Sequence, residues 1–423
     1  MGIVRVFNSL KEYPLEEVFR DVPVYDVSKL AHTGAFVTGN QEKWVFRDEG
    51  LILKVPYFEE RYWKDYVVEQ LAYEIGQQIG FNVAEQFVCR IVDGTREILG
   101  TASRFGLKQD EDYSTFYRMV GNYPGIKSAM RGSPAEVFWN IRDIYADCCG
   151  FNALRYLFEI LCLDLLLGNV DRHLNNFGIG YNHGTGEYFV PKIFDAGLGM
   201  FEGVQSIGYQ DVDSLIGLLN MKPYGTVTPR DVVQSILPTL PKKIWYEYNW
   251  VINLEGMVFP SEAAVRYFMW IAGAMGLRIR GIPIVVTGQQ ELPSTTTGIP
   301  RGSHSIPLDC TLMYKDIPLL KIQQNERDLY PTLIADATKY DHFPVEFRIQ
   351  ERSLNINFVT LKTFFRFRGI PDLRQNKNRV YEAWGASSFD DLGEKSRYLC
   401  VDDHYWIKYN YDEIDYGDIK IRD

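Results

Sequence analysis

One stretch, residues 151–201, constrains the fold more than any other part of the 423-residue chain. It begins with an apolar helix, FNALRYLFEILCLDLLL, passes through the polar loop GNVDRHLNNFG and a turn-rich hairpin, and ends in an apolar strand that reaches IFDAG. Asp171 and Asp195 stand where apolar elements end, and Asn176 lies on the same loop as Asp171. Buried carboxylates are rare unless they are paired or bound to a metal. The stretch therefore predicts a site built on carboxylate and carboxamide groups.

These residue types suit magnesium-dependent phosphoryl transfer. An Asp beside the acceptor hydroxyl can orient it and accept its proton, which is the role we predict for Asp171. Asn176 can turn back towards the metal, and Asp195 can hold Mg²⁺ between phosphate oxygens. The alternative is structural: Asp171 caps a helix, Asn176 makes a turn and Asp195 ends a strand, since Asp and Asn favour turns in any case. Spacing alone does not decide between the two.

Upstream segments could complete such a site. The glycine-bearing loop, TGAFVTGNQ at residues 33–41, could offer backbone N–H groups to phosphate, although taken alone it is more typical of an ordinary turn. A hairpin with strands at 43–47 and 51–55 follows it. Lys54 is either an edge lysine that reaches water or a partly buried ammonium that binds phosphates. Its carboxylate partner would be Glu69 or Glu74 on the next helix, residues 63–79, and helical periodicity does not choose between them.

Composition excludes several classes of protein. The net charge of −10 argues against a general nucleic-acid binder, whose affinity would come from basic phosphate contacts. No apolar stretch is long enough to span a bilayer, the N-terminus does not read as a signal peptide, and the six cysteines show no CxxC pair. No HExxH motif or Ser–His–Asp arrangement is visible. We therefore expect a soluble, cytoplasmic protein with no membrane partner and no direct nucleic-acid binding.

The pattern along the chain predicts an α+β fold. Residues 31–106 read as a small β-rich unit with one helix, and VDSLIGLLNM, TPRDVVQSILPTL and PSEAAVRYFMWIAGAMG make the next region mainly helical. Residues 287–307 are rich in Gly, Pro, Ser and Thr and predict a linker. Beyond it, TLMYKDIPLLKIQ and FPVEFRI are predicted strands, while LNINFVTLKTFFRFRGI and DLRQNKNRVYEAWG are predicted helices.

The order of these motifs resembles that of the HipA-like serine/threonine kinases. TGNQEKWVF, LILKVP, VVEQLAYEIGQQIGFNV, ASRF, GNVDRHLNNFGI and IFDAG follow one another over roughly residues 30–280. The DRHxxN and FD pair also resembles the catalytic loop of phosphatidylinositol 3/4-kinases. The resemblance implies a bilobal protein-kinase-like fold with a small β-rich N-lobe at 1–106 and a larger helical C-lobe at 107–290. A linker at 291–307 and a small α+β accessory module at 308–423 would follow, the module being similar to one that accompanies HipA-like proteins in Gram-positive bacteria.

Carried over position by position, the resemblance implies ATP and Mg²⁺ as cofactors. Asp171 would be the catalytic base, Asn176 and Asp195 the Mg²⁺ ligands, and Lys54 the phosphate-binding lysine with Glu69 as its partner. The other cofactor-binding positions would lie in the phosphate loop and the interlobe hinge: Thr38, Gly39, Asn40, Gln41, Ala102, Ser103 and Phe105.

The resemblance also bears on substrate and regulation. It implies a protein substrate with a Ser or Thr acceptor, and it extends to toxins of toxin–antitoxin systems, for which a cognate antitoxin is the expected partner. Phe36 stands where the best-known members carry an autophosphorylated serine, so self-inactivation by that route is in doubt. The alternatives are a kinase for a lipid or small molecule, and a catalytically idle kinase fold that serves as a binding module.

Overall fold

The computed structural model describes residues 10–37, 39, 41–56, 64–104, 106–121, 123, 125–197, 199–200, 219–288, 305–324, 331–349, 352–371 and 374–421. Within them the chain is a mixed α/β protein with several separate sheets. The helices are α1 (Leu15–Val18), α2 (Asp65–Ile79), α3 (Phe116–Val120), α4 (Ile126–Ala129), α5 (Pro134–Cys149), α6 (Leu154–Leu167), α7 (Pro229–Ser235), α8 (Lys242–Trp245), α9 (Glu262–Ala274), α10 (Phe358–Arg366), α11 (Lys377–Trp384), α12 (Phe389–Ser396) and α13 (Tyr416–Ile419).

The strands of the same residues are β1 (Lys11–Pro14), β2 (Val24–Asp26), β3 (Lys43–Phe46), β4 (Leu51–Lys54), β5 (Gln86–Asp93), β6 (Arg96–Arg104), β7 (Glu111–Thr115), β8 (Gly178–Asn182), β9 (Glu187–Phe189), β10 (Val251–Asn253), β11 (Val258–Phe259), β12 (Arg278–Arg280), β13 (Ile284–Thr287), β14 (Cys310–Tyr314), β15 (Ile317–Gln323), β16 (Thr332–Ala335), β17 (Arg348–Ile349), β18 (Ser353–Leu354) and β19 (Tyr405–Tyr409). Short 3₁₀ turns occur at Ala31–Phe36, Arg47–Glu49, Leu237–Thr239, Ala337–His342 and Val345–Phe347.

A five-stranded sheet in the order β2-β5-β6-β4-β3 forms the N-terminal part of the molecule. The predicted hairpin is confirmed as the antiparallel pair β3 and β4, and the predicted pair β5 and β6 is antiparallel as well. The predicted helix appears as α2, which contacts β5 through one side and α6 through another. Its buried residues recur at helical spacing, as Val68, Leu71 and Ile75 show. Helix α2 is therefore packed between the five-stranded sheet and helix α6.

Helix α6 is the centre of the largest apolar cluster. All of its residues from Tyr156 to Leu167 are buried, as expected of a helix that is apolar on every side. Two of the predicted later helices are confirmed as α7 and α9, and the side chains of Thr228 and Ser261 cap them. The third, VDSLIGLLNM, falls mostly outside the described residues.

The C-terminal region, which we define as residues 306–421, contains the antiparallel sheet β16-β15-β14-β19 and helices α10–α13. The strands predicted at 311–323 are confirmed as β14 and β15, and the two predicted helices are confirmed as α10 and α11. The strand predicted at FPVEFRI is wrong, because a 3₁₀ turn at Val345–Phe347 leaves only the two-residue strand β17. The burial pattern agrees with this: the adjacent residues Phe343 and Pro344 are both buried, which breaks the alternation of a strand.

The C-terminal region has one apolar cluster of its own and shares a second one with the N-terminal part of the molecule. One apolar cluster combines Phe36, Val37 and Val45 with residues of the C-terminal region, namely Met313, Ile370, Val380, Tyr381, Leu392, Leu399, Val401, Trp406, Tyr416 and Ile421. Most of the predicted linker, 291–307, lies outside the described residues. The bilobal arrangement and the boundaries at 106, 290 and 307 stay predictions. Among the described residues, the structure has no helix that combines the length and apolarity needed to cross a membrane.

Candidate active site

A cavity opens on one face of the five-stranded sheet. Side chains alternate between the two faces of a strand, so Ile52 and Lys54 of β4 line the cavity while Leu51 and Leu53 pack into the apolar cluster on the opposite face. On β6, Thr101 and Ser103 line the cavity by the same alternation. The wall opposite the sheet comes from Asn175, from the segment 191–195 and from Val401 and Asp402 of the C-terminal region.

Lys54 makes an ion pair with Glu69 and lies 3.4 Å from Oδ1 of Asp195 through its Nζ. Glu69 is fully buried, and its carboxylate is close to Gly197 as well. Burial opposes the charge of Lys54, but Glu69 and Asp195 outweigh it and raise the pKa of the ammonium above its ordinary value. Glu74 instead accepts a hydrogen bond from Gln70, at 2.8 Å. The structure thus brings together Lys54, Glu69 and Asp195, and of the two glutamates it places Glu69 beside the lysine.

A second lysine shares this cavity. Lys43 is the direct partner of Lys54 across the hairpin, and both side chains line the cavity. Burial and the neighbouring Lys54 lower the pKa of Lys43 to about 8. Like charges placed directly opposite each other in a sheet are destabilising. Arg104 and Lys192 line the cavity as well, so its four cationic side chains outnumber the three carboxylates of Glu69, Asp195 and Asp402, which favours an anionic ligand.

Asp195 faces these cations from the other side. Its backbone adopts φ 59°, a left-handed conformation that is uncommon for a residue other than glycine and that clusters at functional sites. About 40% of its side chain is accessible, through the cavity. Burial alone would raise the pKa of Asp195, but Lys54, Lys43 and Arg172 outweigh it and lower that pKa to about 2. Asp195 is consequently an anion in the folded protein.

The backbone around Asp195 is fixed by neighbours from two directions. The segment before it pairs with the residues before β5, with Ala84 N donating to Ile193 O at 2.8 Å. After it, a Cβ atom on Gly197 would lie 3.1 Å from Cβ of Asp65 and 3.2 Å from Oε1 of Glu69. A larger residue at position 197 would press on the carboxylate that holds Lys54.

The loop after α6 is held by a buried ion pair. Helix α6 ends at Gly168, whose left-handed φ of 62° reverses the chain, and Arg172 then returns to Asp164 inside the helix. The Arg172 guanidinium donates to both Asp164 oxygens at 2.8 and 3.0 Å, and both side chains are almost fully buried. Its Nη1 also donates to the carbonyl oxygens of Asn176 at 2.9 Å and of Phe194 at 2.6 Å. One guanidinium thus joins the loop of Asp171 to the residue before Asp195.

Asp171 and Asn176 lie on this loop and contact each other. Nδ2 of Asn176 donates to the backbone oxygen of Asp171 at 3.0 Å, which directs the amide group of Asn176. The Asp171 carboxylate accepts from Lys222 Nζ at 2.8 Å and is partly exposed. Neither Asp171 nor Asn176 is among the residues that line the cavity, whereas the neighbouring Asn175 is. The link between Asp171 and the cavity is therefore the Arg172 network.

The donor set fits a magnesium ion. A hard cation such as Mg²⁺ prefers oxygen ligands and takes only one or two protein carboxylates, with phosphate oxygens and water completing its shell. The Asp195 carboxylate is ionised and accessible, and the amide of Asn176 uses its nitrogen for Asp171, which leaves an oxygen as its other polar atom. Within the described part of the chain, no group of three or more His, Cys, Asp or Glu side chains is placed to hold a metal ion by itself.

The remaining predicted positions are distributed unevenly. Ser103 lines the cavity, but Ala102 lies on the opposite face of β6 in the apolar cluster, and its backbone lies between β4 and β5. Gly39 has a left-handed φ of 97°. Gln41 does not line the cavity; its Nε2 donates to Asp65 Oδ2 at 2.6 Å. Thr38, Asn40 and Phe105 lie outside the described residues.

Comparison with known proteins shows distant structural likeness alone. Neither a protein-family model nor a curated protein matches this chain. Among solved structures, the chain is similar to the Helicobacter pylori proinflammatory kinase CtkA, with 15% sequence identity and a TM-score of 0.39 over 59% of this chain and 93% of that chain. The likeness is too distant to carry a functional conclusion. We therefore rest the function on the contacts of the site.

Sequence reasoning missed several residues of this site. Lys43 could have been found from the hairpin register, since pairing the two predicted strands across the DEG turn places it opposite Lys54. Asp164 was visible only as a charge that interrupts the apolar helix, and Arg172 only as part of the DRH triplet. Asp65 is buried at the start of α2, where burial and the neighbouring Glu69 raise its pKa to about 7. Nothing in the sequence pattern around Val401 and Asp402 indicated that these residues line the cavity.

Proposed function

We propose that this protein is an Mg²⁺- and ATP-dependent phosphotransferase of HipA type that phosphorylates Ser or Thr hydroxyls of a protein substrate. The observation that carries the proposal is the set of charges in one cavity: the ammonium groups of Lys43 and Lys54 face the carboxylates of Glu69 and Asp195. Lys43 and Lys54 can both meet phosphate oxygens, and the buried Glu69 orients Lys54. This arrangement suits a nucleoside triphosphate.

Each residue has a separate task in this proposal. Glu69 holds Lys54 in place, and Lys54 and Lys43 bind phosphate oxygens of ATP. Asn176 and Asp195 would hold Mg²⁺, which would neutralise charge on the phosphates when bound. Asp171 orients the acceptor hydroxyl and accepts its proton. Arg172 keeps the loop of Asp171 in register with Asp195, because it donates to a carbonyl on each side.

Lys222 has a place in the same scheme. Its ammonium contacts Asp171 at 2.8 Å and is about half exposed, so it can hold the Asp171 carboxylate in one orientation. A toxin role with a cognate antitoxin belongs to the proposal only through the HipA-like motif order, and it needs an independent test in cells.

The test is direct transfer of radiolabelled phosphate. Purified protein with Mg²⁺ and γ-labelled ATP should label itself or a supplied protein on Ser or Thr. Asp171→Asn should abolish labelling and leave ATP binding largely intact, while Asp195→Asn should weaken nucleotide binding only when Mg²⁺ is present. If wild-type protein binds ATP but transfers no phosphate to protein, lipid or small-molecule acceptors, the fold is an idle nucleotide-binding module and the proposal is wrong.

A further inference from the structure

The C-terminal region reaches the glycine-bearing loop through one buried arginine. Arg374 is almost fully buried, and its Nη1 donates to the carbonyl oxygens of Val37 and Gly39, both at 3.0 Å. Nη2 donates to the carbonyl of Lys43 at 3.3 Å, and Nε donates to Oδ1 of Asn376 at 3.0 Å. A single guanidinium therefore contacts the backbone of the loop at Val37 and Gly39 and the backbone just after it at Lys43, which lines the cavity.

The charge of Arg374 has an electrostatic consequence. These partners are neutral oxygens, and burial lowers the pKa of Arg374 to about 10, which still leaves the guanidinium protonated at neutral pH. The carboxylate of Glu42 opposes part of this charge, and the buried cation raises the electrostatic potential at the loop that it contacts. Together with Lys43 and Lys54, it favours an anionic ligand beside the loop.

Apolar contacts hold the same loop from the other side. Phe36 is buried with its ring edge-to-face on Trp384, at a centroid distance of 5.9 Å, and Trp384 Nε1 donates to the carbonyl of His32 at 2.8 Å. The side chain at position 36 is thus an anchor between the loop and α11. It carries no hydroxyl that phosphorylation could use to release the loop.

Two consecutive residues of the C-terminal region also cross the end of the cavity. Val401 N donates to the carbonyl of Phe36 at 3.0 Å, and the carbonyl of Asp402 accepts from Tyr113 N at 2.9 Å. Phe36 ends the 3₁₀ turn before β3 and Tyr113 lies on β7, which follows the five-stranded sheet, so Val401 and Asp402 connect these two segments. Both Val401 and Asp402 line the cavity.

We propose that the C-terminal region is a structural part of the nucleotide site: Arg374 positions the glycine-bearing loop for phosphate, and Val401 and Asp402 form a wall of the nucleotide cavity. The inference rests on the proposed function, because it assumes that the cavity binds a nucleotide. It predicts that nucleotide affinity depends on residues more than 300 positions away in sequence from the loop that they hold. Arg374 acts here as a positioning residue.

The experiment measures ADP binding with Mg²⁺ to the full chain by calorimetry. Arg374→Ala should weaken the affinity at least tenfold, and Arg374→Lys should recover part of it, since an ammonium keeps the charge but cannot reach three carbonyls in a fork. The matched control is Arg397→Ala. Arg397 also belongs to the C-terminal region, is about 20% exposed, and forms its ion pair with Asp412 of the same region at 2.9 Å, so this variant should bind ADP within twofold of wild type.

A second measurement on wild-type protein covers the case in which Arg374→Ala does not fold. Coupling between sites is reciprocal, so ADP should increase amide-exchange protection in residues 374–384 and 398–403 as well as in the loop. Unchanged protection there, or a folded Arg374→Ala protein that binds ADP within twofold of wild type, would overturn this inference and leave the proposed function standing. Absence of ADP binding by wild-type protein would overturn both.

Discussion

Removing the charge of Asp164 should destabilise the protein far more than its position in a helix would suggest. Asp164→Leu keeps the helix apolar but leaves the guanidinium of Arg172 buried without its carboxylate. Breaking a buried ion pair by removing one partner costs about 3–5 kcal/mol. On a scale of roughly 2–4 °C per kcal/mol for a unit of 150–250 residues, the unfolding midpoint should fall by roughly 6–20 °C.

The double variant Asp164→Leu/Arg172→Met separates the ion pair from its surroundings. It contains no unpaired buried charge, but it leaves the carbonyl oxygens of Asn176 and Phe194 without their donor, at about 1–3 kcal/mol each. Its loss of stability should therefore be smaller than the sum of the two single losses by about 2 kcal/mol or more. Phosphate transfer should stay abolished, because the connection between the loop of Asp171 and the backbone before Asp195 is gone.

The assay is thermal and urea unfolding of wild type, both single variants and the double variant, followed by tryptophan fluorescence. Arg266→Met is the matched control, because Arg266 pairs with Glu262 at the surface, where such pairs contribute about 0–1 kcal/mol. Additive single losses, or an Asp164→Leu protein within about 1 kcal/mol of wild type, would refute a buried pair at this site.

Three further predictions test charged groups in the cavity and beside it. Glu69→Gln should weaken ATP binding about tenfold or more, since Lys54 loses its buried partner. Glu74→Gln should bind ATP like wild type in the same titration, and equal effects of the two variants would contradict the role of Glu69 as the partner of Lys54. ADP affinity should fall as pH rises through about 8, because Lys43 loses its proton there, and Lys43→Met should remove that dependence; an unchanged pH profile in the variant would exclude Lys43 from the site. Asp65 has a folded-state pKa raised to about 7, so it is protonated in the folded protein and ionised in the unfolded chain between about pH 4 and 7. The stability that protonated Asp65 contributes is therefore lost as pH rises through that window. Relative to wild type, Asp65→Asn should gain free energy of unfolding by up to about 1.4 kcal/mol per pH unit, measured by urea unfolding. Absence of this gain would show that Asp65 is ionised in the folded protein.

The elements that were predictable carry their signal locally. The β3–β4 hairpin follows from apolar residues on both sides of a DEG turn, and α2 follows from apolar residues at helical spacing. Asp171, Asn176 and Asp195 were singled out because polar groups end apolar elements, and their roles stay predictions. Glu69 could not be chosen over Glu74 from periodicity, because the rotation of a helix against a sheet is a property of tertiary packing.

The features that escaped prediction depend on distant contacts. Asp164 and Arg172 contact each other only because Gly168 reverses the chain. The pattern of an apolar helix does not predict which cation its aspartate pairs with. Arg374 and Val401 belong to a region that seemed separable in sequence, since its own strands and helices were visible and a Gly/Pro/Ser-rich stretch precedes it. Their contacts with Val37, Gly39 and Phe36 arise from the shape of two docked surfaces, which residue pattern does not encode.

The central claim is that the cavity of Lys43, Lys54, Glu69 and Asp195 binds Mg²⁺ and ATP for phosphate transfer by way of Asp171. The most direct measurement compares wild-type and Asp171→Asn protein for ATP affinity and for transfer of labelled γ-phosphate to Ser or Thr, in the same preparation. We predict similar ATP affinity in both proteins and transfer by wild type alone. Equal transfer by the two proteins, or no ATP binding by wild type with Mg²⁺, would contradict the claim.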